Sequence, residues 1–225
     1  MAIDVTKKPK ISLSKIVLEK SGDAARVDLS KNNDSAIVIN LNWSQSKKPN
    51  GLLAGLFQKH QEIDLDLGCY YQLKNGQSGV IDGVQFSHNR GGARNQQTAQ
   101  GCYTQSPWVW HCGDDRVGSS ATGESILVNP QGILDIRQLI VYCFIYDGVA
   151  KWNESDAIVT IKIPNQPDVV VEMGRQTDGR KFCAIAMIDF SGNHMTVRKQ
   201  ITFHRGHEDC DDYYKWGFNW GAGSK

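Results

Sequence analysis

The run Leu139–Tyr146 is apolar on both of the faces that a strand would present. Alternate side chains of a strand point to opposite sides of its sheet, so a strand of this composition needs cover on both sides. The run therefore predicts a central strand that is buried between two layers. With 225 residues, 40% of them hydrophobic, the chain is long enough to provide such layers.

Other strand-like runs surround this one at a spacing of roughly ten residues. Ala36–Trp43 and Asp64–Leu73 alternate with the period of two that is typical of strands. The remaining predicted strands are residues 11–18, 25–29, 80–86, 125–129, 157–164, 169–173, 182–190 and 194–203. About ten strands with few helical patterns predict an all-β fold, a two-sheet β-sandwich, with a short C-terminal helix near residues 208–216.

The polar and apolar segments also predict a division of the chain. Residues 1–34 are expected to be an N-terminal segment with the first edge strands, and residues 35–225 a β-sandwich domain. Within the domain, Ser44–Asn50 is a linker, and Gly51–Phe57 is an apolar island. We expect the island to pack on the sandwich; the alternative is a partner-binding surface. Residues 88–107 are expected to be a polar loop.

Charge and cysteine content narrow the classes of function. With 25 basic and 24 acidic residues, the net charge of +1 gives no electrostatic reason to expect nucleic acid or an anionic membrane as a partner. Neither an apolar run of about 18 residues nor a signal-peptide pattern is found, so we expect a cytoplasmic protein without a membrane span. Its six cysteines are then expected to be free thiols, with Cys143 and Cys183 in the core.

Carboxylates are concentrated in two stretches. Asp64 and Asp66 leave the same face of a predicted strand, about 7 Å apart, while the opposite face belongs to the core. Asp114, Asp115 and Glu124 lie on a glycine-rich loop that can bring several oxygens to one point. Crowded carboxylates repel each other unless a cation neutralises them, and hard oxygen ligands suit calcium best. These five residues are the predicted metal ligands.

Two rival interpretations remain open. His204, His207 and Cys210 carry zinc-type donors, as a zinc-dependent hydrolase would need, although their spacing does not match the usual pairs of ligands. Alternatively, tryptophans form a stacking surface in a ligand- or carbohydrate-binding module without calcium; the candidates are Trp108, Trp110, Trp152, Trp216 and Trp220. Sequence motifs of phosphate-binding loops, serine hydrolases and zinc proteases are absent, so we expect no enzyme and assign no catalytic residue.

Several of these motifs together resemble the TerD family of tellurium-resistance and stress proteins. The resemblance rests on Asp64-Leu-Asp66, on Gly113-Asp-Asp-Arg-Val-Gly118 followed by Gly123-Glu124, and on the central strand. The run Phe182–Ile188 and the ending Trp216–Lys225 are similar to the TerA-type branch in particular. The resemblance covers roughly residues 35–225.

The resemblance implies a non-enzymatic calcium-binding β-sandwich in the cytoplasm. It also implies that the protein acts with other tellurium-resistance proteins, a membrane-embedded protein being one candidate partner. Where the family has Gly-Asp-Asp-Glu, this chain has Ala121-Thr-Gly-Glu124, which removes two carboxylates. One weaker calcium site, or none, is therefore expected in place of two.

Overall fold

The computed structural model describes residues 14–30, 35–43, 63–83, 93–113, 123–146, 152–173 and 176–221. Within these ranges the chain forms mainly β-strands, joined by short turns and two α-helices. The strands are β1 (Ile16–Leu18), β2 (Ala24–Asp28), β3 (Ile37–Asn42), β4 (Leu65–Leu73), β5 (Ser78–Asp82), β6 (Gly101–Cys102), β7 (Val109–His111), β8 (Glu124–Val128), β9 (Ile136–Ile145), β10 (Ile158–Lys162), β11 (Val169–Glu172), β12 (Phe182–Ser191) and β13 (His194–His204). The helices are α1 (Trp152–Ser155) and α2 (His207–Tyr214).

The strands form two sheets. One has seven strands in the order β1-β11-β10-β3-β8-β7-β6, and the other has six in the order β2-β13-β12-β9-β4-β5. Among the described strands, β1 and β11 pair in parallel and the other neighbours are antiparallel. The predicted all-β sandwich with a short C-terminal helix is confirmed.

The central strand predicted from the apolar run is β9. It lies between β12 and β4 in the six-stranded sheet. Val141 and Cys143 point into the core between the sheets, whereas Tyr142 and Phe144 belong to a second cluster on the outer face. Both faces of β9 are buried, as the composition of the run predicts.

The C-terminal residues 207–220 cover the outer face of the six-stranded sheet. Trp216, Phe218 and Trp220 alternate onto one side of an extended segment, and their ring centroids lie 6.0, 5.4 and 6.0 Å from that of Tyr70. The segment follows α2, which ends where Lys215 takes a left-handed conformation. Each aromatic pair contributes about 0.5–1.5 kcal/mol beyond its buried area. We call α2 and residues 216–220 together the C-terminal clasp.

The ends of several elements differ from the sequence prediction. The first strand covers 16–18 instead of 11–18, and residues 11–13 lie outside the described ranges, as does the apolar island at 51–57. The expected loop 88–107 contains β6, and β7 and α1 were not predicted at all. These elements are short, and β6 has glycine and polar neighbours, so local composition gives no periodic signal for them.

The cysteine prediction agrees with the structure. The six cysteines are unpaired, and Cys143 and Cys183 are fully buried. Burial raises the pKa of both thiols, so they stay protonated near neutral pH. Neither α-helix in the described part of the chain is long and apolar enough to cross a bilayer.

Candidate metal centre

The centre lies where β4 extends beyond its neighbour β5. β5 pairs with β4 from Gly68 to Gln72, so among the described residues Leu67 has no strand partner on that side. Two side chains of the opposite sheet take the place of a strand: Glu124 Oε2 accepts a hydrogen bond from Leu67 N at 2.7 Å, and His111 Nε2 lies 3.1 Å from Leu67 O. These contacts join β7 and β8 to the end of β4.

The backbone around His111 fixes which ring nitrogen carries the proton. Gly113 N donates to Nδ1 at 3.0 Å, so Nδ1 is an acceptor and the proton lies on Nε2. From Nε2 it is donated to Leu67 O, and Glu124 Oε2 lies 3.7 Å away. His111 is thereby fully engaged by hydrogen bonds at both nitrogens, and it orients Glu124 instead of offering a lone pair to a metal.

Two predicted ligands meet in this buried place. The exposed fractions of Asp66 and Glu124 are 0% and 1%. Gly83, directly after β5, contacts both: a Cβ added there would lie 3.2 Å from Asp66 Oδ1 and 3.8 Å from Glu124 Oε2. Asp64 is half-buried just before β4. From the sequence alone, the acidic face of β4 could meet solvent, a cation or a basic partner. Because Asp66 is buried, solvent is excluded.

Glu124 is also fixed through its own backbone. Asn40 Nδ2 donates to Glu124 O at 3.0 Å from the neighbouring strand β3. The preceding Gly123 has φ +57° and lies so close to Leu41 O that a Cβ would be only 2.1 Å from that oxygen. Only glycine fits this approach. The strand pairing thus presents the Glu124 side chain toward β4.

Asp114 and Asp115 lie outside the described residues, so their predicted role as ligands stays a prediction. The segment that carries them, however, leaves from Gly113 and returns at Gly123, and both glycines lie beside the centre. Within the described ranges, no three side chains of His, Cys, Asp or Glu converge closely enough to hold a metal ion. A complete calcium shell of six to eight oxygens would therefore need donors beyond the described residues, or water.

The rival zinc set does not converge. His204 Nε2 bonds to Thr202 Oγ1 at 2.9 Å, whereas His207 Nε2 bonds to Asp82 Oδ2 at 3.0 Å. Cys210 is buried in the outer cluster. The three side chains serve three different contacts, and in the part of the chain that the structure describes they form no group that could hold a metal ion.

The tryptophans do not share one surface either. Trp152 is 1% exposed and donates from Nε1 to Arg180 O, while Trp216 and Trp220 cover the six-stranded sheet. Trp108 and Trp110 belong to the seven-stranded sheet, in or beside β7. Core packing accounts for most of these rings, so the common stacking surface of the alternative interpretation is not formed.

A second polar cluster, around Asp82, was not predicted. The Asp82 carboxylate is 5% exposed, and its Oδ2 accepts from Tyr142 OH at 3.2 Å and from His207 Nε2 at 3.0 Å. Burial, and then the charge of Asp82, raise the pKa of Tyr142, so its hydroxyl stays protonated and donates. Sequence spacing could not reveal this cluster, because Asp82 and His207 are 125 positions apart.

Known proteins show what this chain is similar to. No protein-family model matches the chain. Over 216 residues, the chain is 36% identical to "Tellurium resistance protein TerA" from an Alcaligenes species. The predicted resemblance to the TerD family and its TerA-type branch is confirmed. The match covers 96% of this chain but only 60% of the TerA relative, so the chain spans a part of that protein's length.

Proposed function

We propose that this chain binds one calcium ion at the candidate metal centre and acts, without catalysing a reaction, as a binding scaffold in tellurium resistance and the stress response. The observation that carries the proposal is the meeting of Asp66 and Glu124, two buried carboxylates from different sheets, beside Gly83. Carboxylates held this close repel each other unless a cation or a shared proton intervenes. Oxygen donors of this kind favour calcium over softer metals.

The remaining donors come from the segment between Gly113 and Gly123. Asp114 and Asp115 follow Gly113 directly, and the half-buried Asp64 adds a third carboxylate at the start of β4. Glu124 already accepts the Leu67 N–H with one oxygen, so it contributes to the shell with limited freedom. This donor set supports one site, because Thr122 and Gly123 stand where the resemblance places two further acids.

The name of the TerA relative supports the tellurium-resistance role. Its name is that of a resistance protein and names no reaction. We place the chain in the cytoplasm, with other tellurium-resistance proteins, among them a membrane-embedded one, as its partners. Calcium would neutralise the acidic centre and so favour a surface for those partners.

Calcium titration of chelator-treated protein tests the metal site. We expect saturable binding of one ion and a rise in the melting temperature, because a ligand that binds only the native state stabilises it. Asp66→Asn and Asp114→Asn should each weaken binding at least tenfold. The control is Asp189→Asn, a carboxylate paired with Arg198 on the surface of β12. Absence of calcium uptake by the wild-type chain would refute the site.

A complementation assay tests the biological role. Cells that lack the protein should regain tellurite resistance when they produce the wild-type chain together with its partners, and Asp66→Asn should restore less. Pull-downs in calcium and in chelator then test the scaffold. Equal capture of partners in calcium and in chelator would contradict a calcium-dependent surface. Full rescue by Asp66→Asn would show that resistance does not require calcium binding.

A further inference from the structure

We infer that cation binding at the metal centre and docking of the C-terminal clasp are coupled in free energy through Asp82 and Gly83. The inference rests on the proposed function and adds a regulation of the same site. Its physical basis is that consecutive residues at the end of β5 serve the two places: Asp82 holds the clasp, and Gly83 contacts the centre.

The clasp side of this connection is a hydrogen-bonded pair of side chains. His207, the first residue of α2, donates from Nε2 to Asp82 Oδ2 at 3.0 Å, and Tyr70 OH donates to His207 O at 2.9 Å. The imidazole packs among aromatic rings, with centroid distances of 4.9 Å to Phe182 and 5.1 Å to Phe144. The start of α2 is therefore fixed to β5 through its side chain and to β4 through its backbone.

Few other groups could hydrogen-bond to the Asp82 carboxylate if the bond from His207 were lost. Within the described residues its Oδ1 is buried and has no hydrogen-bond partner, so Tyr142 and His207 are the groups that satisfy the carboxylate. A buried carboxylate that loses a charge-assisted hydrogen bond is strongly destabilised. Undocking of the clasp would thus release Asp82 from its position, and the chain around it would rearrange.

The centre side depends on the same chain position. The backbone at Gly83 lies against Asp66 Oδ1 and Glu124 Oε2, and a Cβ there would also be 3.6 Å from His111 Cε1. Displacement of Asp82 therefore changes the packing around two predicted ligands. A second contact follows the sheet, since Asp66 is the register partner of Phe144, whose ring touches His207.

The sign of the coupling follows from preorganisation. A docked clasp holds the end of β5 in the position that surrounds Asp66 and Glu124, so less ordering remains to be done when the cation binds. Linkage is reciprocal: if the clasp raises calcium affinity, calcium stabilises the clasp by the same factor. Couplings of this type amount to roughly 5- to 150-fold in affinity.

Two histidine variants of the full chain test the inference. His207→Phe keeps a ring in the aromatic surroundings but cannot donate to Asp82, and we expect it to weaken calcium binding about fivefold or more. His194→Phe is the matched control, because His194 is also a partly buried histidine but lies at the opposite end of β13 from the clasp, opposite Ser191 and Asp28. It should change calcium affinity less than about twofold, as a residue outside the coupling does. Calorimetric titration near neutral pH measures both.

Hydrogen exchange gives the reciprocal readout. Saturating calcium should slow amide exchange across residues 207–220 in the wild-type chain and not in His207→Phe. Calcium binding of equal strength in wild type and His207→Phe, with unchanged exchange in the clasp, would overturn the coupling and leave the calcium site standing. A wild-type chain that takes up no calcium would instead refute the proposed function, and the coupling with it.

Discussion

Tyr142 can take its position because its neighbour on β4, Gly68, has no side chain. A Cβ at Gly68, the register partner of Tyr142 on β4, would lie 2.4 Å from the tyrosine ring and 2.6 Å from its hydroxyl oxygen. The ring lies over the glycine, and this lets the hydroxyl reach Asp82. We predict that Gly68→Ala lowers the free energy of unfolding by about 1–3 kcal/mol, the usual cost of overpacking, as measured by urea denaturation.

Gly179→Ala is the control for that substitution. Gly179 has no atom within 4 Å of an added Cβ, and its φ lies outside the left-handed range. Its replacement should change the free energy of unfolding by less than about 0.5 kcal/mol. Equal stability of Gly68→Ala and Gly179→Ala would show that Tyr142 can move without cost.

His204 should make stability depend on pH. Burial lowers the pKa of this imidazole below its usual 6.5, with Asp209 opposing the shift and Arg180 adding to it. Below pH 6.5 the unfolded chain therefore binds more protons than the folded one, and the free energy of unfolding falls until the pH reaches the lowered pKa. Urea denaturation from about pH 7.5 down to about pH 5 should show a smaller fall for His204→Phe. Equal slopes for wild type and variant would contradict this assignment.

Individual residues were predicted unevenly from the sequence. Asp66 and Glu124 could be paired in advance because each lies in a distinctive local pattern of acids, glycines and strand alternation. His111 has no such local pattern, since its role depends on the backbone of Leu67, which the folding of the two sheets brings close. Asp82 and Gly83 gave no local signal, because an Asp-Gly pair ordinarily indicates a turn.

At the scale of elements, one lysine links three strands. Lys199 on β13 is 6% exposed, and its Nζ donates to Leu18 O at 3.1 Å, Glu19 O at 2.9 Å and Glu172 O at 2.7 Å. Leu18 and Glu172 end β1 and β11 of the other sheet. The ammonium group therefore holds one edge of the sandwich together.

Lys199→Met should separate the charge from the packing of the side chain. Methionine retains most of the apolar stem but leaves three carbonyls without their donor, and we expect a loss of about 1–3 kcal/mol in the free energy of unfolding. Lys162→Met, an exposed lysine on β10, is the matched control and should be nearly neutral. Urea denaturation measures both variants. A neutral Lys199→Met would mean that water replaces the ammonium group.

Elements with a strong period could be predicted, and short ones could not. β4, β9, β12 and β13 were recognised with shifts of a few residues at their ends, because nine or more residues of strand pattern outweigh local noise. β6 and β7 are two and three residues long. β7 forms because β8 offers an edge to pair with, and β6 in turn pairs with β7. That edge forms only when the sheet is folded, so the periodicity of the sequence cannot predict the strands that pair with it.

At the scale of the whole molecule, the N-terminal strands close both sheets. β1 extends the seven-stranded sheet at β11, and β2 extends the six-stranded sheet at β13. Leu18 and Val27 are buried in the common core. The predicted boundary after residue 34 stays a prediction, but these contacts indicate that the sandwich depends on the residues before it.

Removal of residues 1–34 tests this dependence. We expect the shortened chain to unfold at a much lower urea concentration, because it loses several buried apolar side chains worth about 1.5–3 kcal/mol each and leaves β11 and β13 as new edges. A shortened chain with the stability of the full one would establish residues 35–225 as an independent domain.

Glu124 and His111 complete the hydrogen bonding of β4 where β5 ends. These hydrogen bonds are needed whether or not a metal binds, so they restrict which substitutions the chain can accept. A descendant that abandoned calcium would still need an acceptor at position 124 and a donor at position 111, and selection for folding would retain both. The presence of both residues in a descendant is therefore no record of whether its lineage has kept the metal.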